Sequence, residues 1–260
     1  MVITRSQGEA DQLRGKLRLG PDTIPLQDTI EILGVEVDSR LQFDRHLEKV
    51  ARNTSFKVNL LRRMKHLLHA DGLLTLYKAQ VRPIMEYAPL TWMSSARCHL
   101  SLLDKVQRRA ERLISGATHH QQHHPHWWRR QQHRQPQQEQ QQQQEQRQQE
   151  EQQRHDMRDS LEHRRRVAAL TVLHKAQVQR VPHLTNLGTT WRRHEVGTRT
   201  VSANDLLLEV PRSHSSTHQR AFTSAAVVWW NELTTDVDVR GLSTQQIKVA
   251  AHRWLRLHPP

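Results

Sequence analysis

A mainly α-helical protein with a small β-hairpin at its N-terminus is what this chain should form, for three reasons. Glycine is scarce, 9 in 260 residues, while Leu, Ala, Gln, Arg and Glu are plentiful, a balance that favours helices over a β-sandwich. Apolar residues recur at three- and four-residue spacing through most of the chain. Alternation of apolar and polar residues, the mark of a strand, is confined to segment 1–42.

Within 1–42, Met1-Val2-Ile3-Thr4 is β-prone, and Lys16-Leu17-Arg18-Leu19 alternates up to a Gly20-Pro21-Asp22 turn. Glu31 to Asp38 also alternates and should place Leu33, Val35 and Val37 on one face. So little strand cannot stand as a domain alone; it resembles the edge of a larger sheet. Segment 43–117 reads as three helices. The first should start after Asp44 as N-cap, with Leu47, Val50, Thr54, Val58 and Leu61 in one stripe. The second starts near Asp71 and carries Leu73, Leu74, Tyr77, Val81, Ile84 and Met85, with Pro83 expected to kink or break it. The third carries Leu100, Leu103, Val106, Ala110, Leu113 and Ile114 and should stop at Gly116.

Segment 118–156 is a Gln/His-rich low-complexity insertion. It holds too little apolar surface to offset chain entropy, so disorder or loose helix is expected. Segment 157–260 returns to helical spacing around an irregular centre. One helix runs through Leu161, Ala168, Leu170 and Leu173 and ends before Pro182; another runs through Phe222, Ala225, Trp229 and Leu233. Ser243 with Gln246 forms a capping-box pattern ahead of Ile247, Ala250, Ala251 and Trp254. The tryptophans of this segment imply a second core.

The formal net charge of +13 makes polyanions the natural partners, because each Lys or Arg that meets a phosphate releases condensed counterions. An inert basic surface would give the same total. Cys98 is the single cysteine, which rules out an internal disulfide framework and a cysteine-based zinc site. No apolar run of signal-peptide or membrane-spanning length occurs. The expected location is therefore cytoplasmic or nuclear, with no membrane partner.

Two stretches pair an apolar back with a basic front. At 100° per residue, the helix expected over 44–68 sets Arg45, Lys49, Arg52 and Arg63 opposite its apolar stripe, with Phe56 among them. The third helix opposes its stripe with Arg97, Lys105, Arg108, Arg109 and Arg112. Such faces can track a phosphate backbone, and an exposed aromatic can stack on a base or sugar. Two ordinary amphipathic helices with solvated fronts fit the same pattern. His119, His120, His123, His124 and His126 include i,i+4 pairs, yet a Gln-rich tract lacks the supporting groups of a functional metal site. Asp236 and Asp238 have no third acidic partner and read as loop, and Cys98, near a helix start, has no base to activate it. Phosphate loops, nucleophile elbows and zincin motifs are absent. No catalytic residue, metal ligand or cofactor is assigned.

The order Ile32-Leu33-Gly34-Val35, Asp38, Leu41, Phe43, His46, then Gly72-Leu73 and Leu76-Tyr77-Lys78-Ala79-Gln80-Val81-Arg82-Pro83-Ile84-Met85-Glu86-Tyr87-Ala88, resembles non-LTR (LINE-like) retrotransposon reverse transcriptases of arthropod type. Trp92 and Leu103-Asp104-Lys105-Val106-Gln107-Arg108-Arg109-Ala110 continue it. So do Val210-Pro211-Arg212-Ser213, Arg220-Ala221-Phe222 and Trp229-Trp230-Asn231-Glu232-Leu233. The resemblance covers nearly all of the chain except the Gln-rich insertion. It implies that 1–42 is a remnant of the palm sheet, with Leu33, Gly34 and Val35 in the place of the primer grip. It also implies that 43–117 is the thumb, holding template and primer by their phosphates, and that 157–260 is the C-terminal tail.

The same resemblance requires paired palm carboxylates for two metal ions, and no adjacent Asp pair occurs in this chain. Magnesium is thus expected only for a full-length enzyme, and Met1 resembles an internal methionine of a longer frame. The expectation is a catalytically inert C-terminal portion that at most binds an RNA–DNA hybrid or duplex nonspecifically. Two alternatives stay open: one piece of an active enzyme split between gene predictions, or a non-catalytic interaction protein whose Gln-rich tract and amphipathic helices associate with other chains. Under every reading, exposed apolar surface gives a route to self-association.

Overall fold

The computed structural model describes residues 1–3, 8, 12–13, 15–121, 159–191 and 206–259, with backbone alone for 118–121. Among these residues the chain is mainly helical and opens with two antiparallel hairpins. Met1 to Ile3 form no strand, and Thr4 lies outside the described residues. The first hairpin pairs β1 (Arg18–Leu19) with β2 (Asp22–Thr23) around Gly20, whose φ of 62° needs a residue without Cβ strain.

The alternating stretch from Glu31 to Asp38 is a second hairpin rather than one strand. β3 (Thr29–Ile32) turns at Leu33 and Gly34 into β4 (Val35–Asp38), with Ile32 opposite Val35 and Ile30 opposite Val37. Two successive left-handed residues, Leu33 at φ 48° and Gly34 at φ 80°, make the tight turn that matches strand twist. Leu33 therefore does not share a face with Val35 and Val37; it stands at the tip, 86% exposed. A two-residue loop preserves the alternation on both sides, which is why the pattern conceals the turn.

Asp44 does not cap the first helix. α1 (Asp44–Met64) begins with Asp44 as its first helical residue, after Phe43 in the left-handed region. No side chain caps this helix. The Asp38 carboxylate instead ties the loop before it, receiving the backbone N–H of Arg40 (2.9 Å), Gln42 (3.0 Å) and Phe43 (2.7 Å). Leu47, Val50, Thr54, Val58 and Leu61 are buried as their spacing predicts.

The second helix is interrupted as Pro83 demands. α2 (Ala70–Leu76) passes through a π-helical turn (Tyr77–Val81) into the short α3 (Arg82–Met85). Proline offers no N–H and its ring crowds the carbonyl four residues back; the wider turn accommodates both. α4 (Pro89–Trp92) follows, and the Trp92 indole N–H donates to the Tyr87 carbonyl at 3.1 Å. α5 (Arg97–Gln121) runs straight through Gly116 instead of stopping there. Lys65 Nζ would lie 3.5 Å from a Cβ at Gly116, an ordinary contact, so this position would also accept a side chain.

α6 (Leu161–Gln177) starts at the Ser160 cap and ends before Pro182, where a 3₁₀ turn (Pro182–Leu187) begins. The short α7 (Ser216–Arg220) leads into α8 (Phe222–Asp236). α9 (Thr244–Leu257) opens with the expected capping box: Ser243 Oγ accepts from Gln246 N at 3.3 Å, and Ser243 N donates to Gln246 Oε1 at 2.8 Å.

Two apolar cores result. One joins Val35, Phe43 and the stripes of α1 and α5 to Leu73, Tyr77, Val81, Met85, Trp92 and Leu161. The other joins Met93 to α6, α8 and α9 around Trp230, Leu233, Ile247 and Trp254. α6 lies at the seam, giving Leu161 to the first and Val167, Leu170 and Leu173 to the second. No helix among the described residues is long and apolar enough to cross a membrane.

Candidate nucleic-acid interface

Three contacts fix how α1 and α5 lie. His99 Nε2 is 3.5 Å from Asp44 Oδ1 at one end. In the middle, Arg109 Nη2 donates to the Ser55 carbonyl at 3.1 Å. At the other end Lys65 reaches Gly116. Both residue numbers rise together, so the helices run parallel. Both apolar stripes enter the same core, and Arg109 at the edge of the α5 basic stripe reaches the α1 backbone, which makes the two exposed basic stripes neighbours.

Arg45, Lys49, Arg52 and Arg63 on α1, and Lys105, Arg108, Arg109 and Arg112 on α5, are all exposed. Phe56 stands among them, 63% exposed. The parallel arrangement sets Arg52 to Arg63 alongside Lys105 to Arg112 and makes one basic surface of two stripes. Lys49 is the partial exception. Its ammonium pairs with Glu31 Oε2 at 3.0 Å, which draws it towards β3 and raises its pKa through that hydrogen bond. Arg112 Nε donates to the Arg108 carbonyl at 3.2 Å, which holds its guanidinium along the helix. Arg97 departs from the stripe and lines a cavity between the two cores.

The hairpin tip stands apart from this surface. The Tyr87 hydroxyl donates to the Leu33 carbonyl at 2.7 Å, and a Cβ on Gly34 would sit 3.8 Å from the Tyr87 ring. Leu33 and Gly34 are exposed, whereas Val35 is buried with its side chain packed in the core, which takes it off the accessible surface.

The remaining candidate residues resolve into structural tasks. Asp236 accepts the Trp254 indole N–H at 2.8 Å, and Asp238 accepts Arg240 N at 3.0 Å. Cys98 is exposed on the first turn of α5. The side chains of the histidine cluster fall outside the described residues. The Trp230-Asn231 pair of the tail clamps the segment at Leu206 and Leu208. Trp230 Nε1 donates to Leu206 O at 2.8 Å, and Asn231 exchanges two hydrogen bonds with Leu208.

Sequence reasoning missed the charged residues that α6 buries. Arg164 Nη2 donates to Gln107 Oε1 at 3.0 Å, and its Nε lies 2.6 Å from Glu86 Oε1 in ion-pair contact. Arg165 is buried with its guanidinium 5.7 Å from the Trp92 ring centre, and Arg166 lies 4.8 Å from that of Trp229. Arg165 and Arg166 line the cavity of about 560 Å³ between the two cores, together with Arg220 and Trp229. At the start of α6, the buried Asp159 carboxylate meets His163, His252 and Arg256. Burial pushes that carboxyl up, but hydrogen bonds from His252 and Arg256 and the nearness of His163 outweigh burial and hold it well below the usual carboxylate range. No signal in the sequence marks these groups, because buried arginines and histidines share the letters of solvated ones. Comparisons with protein-family models, curated proteins and solved structures yielded no match to this chain.

Proposed function

We propose that this chain corresponds to the thumb and tail of a non-LTR retrotransposon reverse transcriptase and binds the phosphate backbone of a duplex or RNA–DNA hybrid without catalysing its extension. The observation that carries the reading is the adjacency of two exposed basic helical stripes, with Phe56 exposed within the α1 stripe. Contacts of this kind position a backbone and carry no base sequence, so binding is nonspecific. No adjacent Asp pair occurs in the sequence, so the polymerase reading extends to grip and not to chain extension.

Affinity for an RNA–DNA hybrid, measured by fluorescence anisotropy across a salt series, tests this. The logarithm of affinity should fall linearly with the logarithm of salt. Replacing Lys105, Arg108, Arg109 and Arg112 with Gln should make that slope shallower by about 1 for each phosphate that is no longer neutralised. A flat affinity between low and moderate salt would refute phosphate-driven binding.

A second reading rests on the β3–β4 hairpin. Its register places Ile30, Ile32, Val35 and Val37 on one face, and only the β4 pair reaches the core while Ile30 and Ile32 stay exposed. An uncovered apolar edge of this kind invites pairing with another chain. Multi-angle light scattering checks it: association predicts a mass that grows with concentration, and a monomer at all concentrations counts against it.

A further inference from the structure

We infer that Asp159, His163 and His252 form a binding site for a single divalent transition-metal ion, best suited to zinc, that braces the start of α6 to α9. His163 Nε2 and His252 Nδ1 lie 3.0 Å apart, His252 Nδ1 and Asp159 Oδ2 3.4 Å, and His163 Nε2 and Asp159 Oδ2 3.6 Å. In a tetrahedral site with N and O ligands about 2.0–2.1 Å from zinc, ligand atoms stand about 3.3–3.4 Å from one another. The three atoms thus already describe one face of such a tetrahedron.

Each ligand is held by something other than the ion. Ser160 caps α6, accepting His163 N at 3.0 Å, and so fixes the turn that brings Asp159 and His163 together. Arg256, one turn after His252 on α9, grips the carboxylate through Nε to Oδ1 at 3.3 Å and Nη2 to Oδ2 at 3.1 Å. This holds the carboxylate plane and leaves Oδ2 a further lone pair, as the outer partners of metal ligands commonly do. The capping box and the burial of Ile247, Ala251, Trp254 and Leu255 fix α9.

Hydrogen bonds link the triangle, His163 Nε2 with His252 Nδ1 and His252 with the Asp159 carboxylate. The three atoms lie around one point. A cation at that point engages all three at once. Two imidazoles and one carboxylate suit zinc and its neighbours better than magnesium or calcium, which take oxygen ligands. His252 and Arg256 are the more exposed members, so the fourth position opens to solvent on their side. The site is independent of the nucleic-acid reading.

Histidines elsewhere in the chain can capture metal loosely, so the test must report on the fold. Chelator-treated full-length protein is titrated with zinc and its thermal unfolding followed by circular dichroism. An ion that binds only the folded triad raises Tm, whereas metal held equally by folded and unfolded chain does not. The expected result is a Tm rise that saturates at one equivalent and is lost in His252→Asn. Cobalt substitution of the unaltered protein gives a second measurement that needs no variant: a visible band of tetrahedral intensity at one equivalent supports the site. No zinc-dependent Tm change in the unaltered protein, an equal change in folded His252→Asn, or a weak octahedral cobalt spectrum alone would each overturn it.

Discussion

Asp38 turns one carboxylate toward three backbone amides and so shapes the loop between β4 and α1. Sequence spacing points to Asp44 as a cap because a cap is sought next to the periodic run; the N-cap position is the left-handed Phe43, and no side chain caps the helix. Histidine chemistry at the same scale yields a pH prediction. Burial lowers the pKa of His46, His163 and His174 below the ordinary 6.5. The folded chain then binds fewer protons than the unfolded one, so stability is complete above pH 6.5 and declines as pH falls towards the depressed folded values. Urea midpoints measured from pH 7.5 down to pH 5 should therefore decrease. A midpoint that rises over that range contradicts the burial of these rings.

Periodicity is clearest for elements whose two sides differ most. α1, α5 and α9 have an apolar back and a polar front, and the sequence displays each of them. The capping box of α9 is legible because two side chains at fixed spacing carry it. Ser243→Ala removes the hydroxyl that anchors this box and should cost about 1 kcal/mol, read from the chemical unfolding midpoint. The spacing of Leu161, Ala168, Leu170 and Leu173 finds α6 but not which of its faces are buried. The helix is covered on nearly every side, and its Arg164, Arg165, His163 and His174 are buried with the leucines, so no apolar stripe separates core from solvent. The hairpin at Leu33 and Gly34 is hidden for another reason: alternation survives a two-residue turn, and only backbone φ reveals it.

At the scale of the whole molecule, the two cores are foreshadowed by tryptophans in separate segments, but their junction is not. Arg164 is central to that junction, touching Glu86 from the end of α3, Gln107 of α5 and the Asp159 carbonyl. Arg164→Leu strands Gln107 and the Asp159 carbonyl, while Glu86 keeps its pair with Arg82, so the change should cost about 1–2 kcal/mol, the scale for a lost buried hydrogen bond. Differential scanning calorimetry should then show the single transition broaden or split as the cores uncouple. The basic surface is legible as two stripes; their adjacency is not, since nothing in sequence spacing states whether two helices run parallel. That parallelism also governs the order of assembly. Antiparallel neighbours can zip up locally as a hairpin, but the hydrogen bond from Arg109 to Ser55 closes a loop of 54 residues. During synthesis, α1 therefore waits with part of its oily side bare until the far end of α5 has emerged, which predisposes this chain to slow, chaperone-dependent maturation.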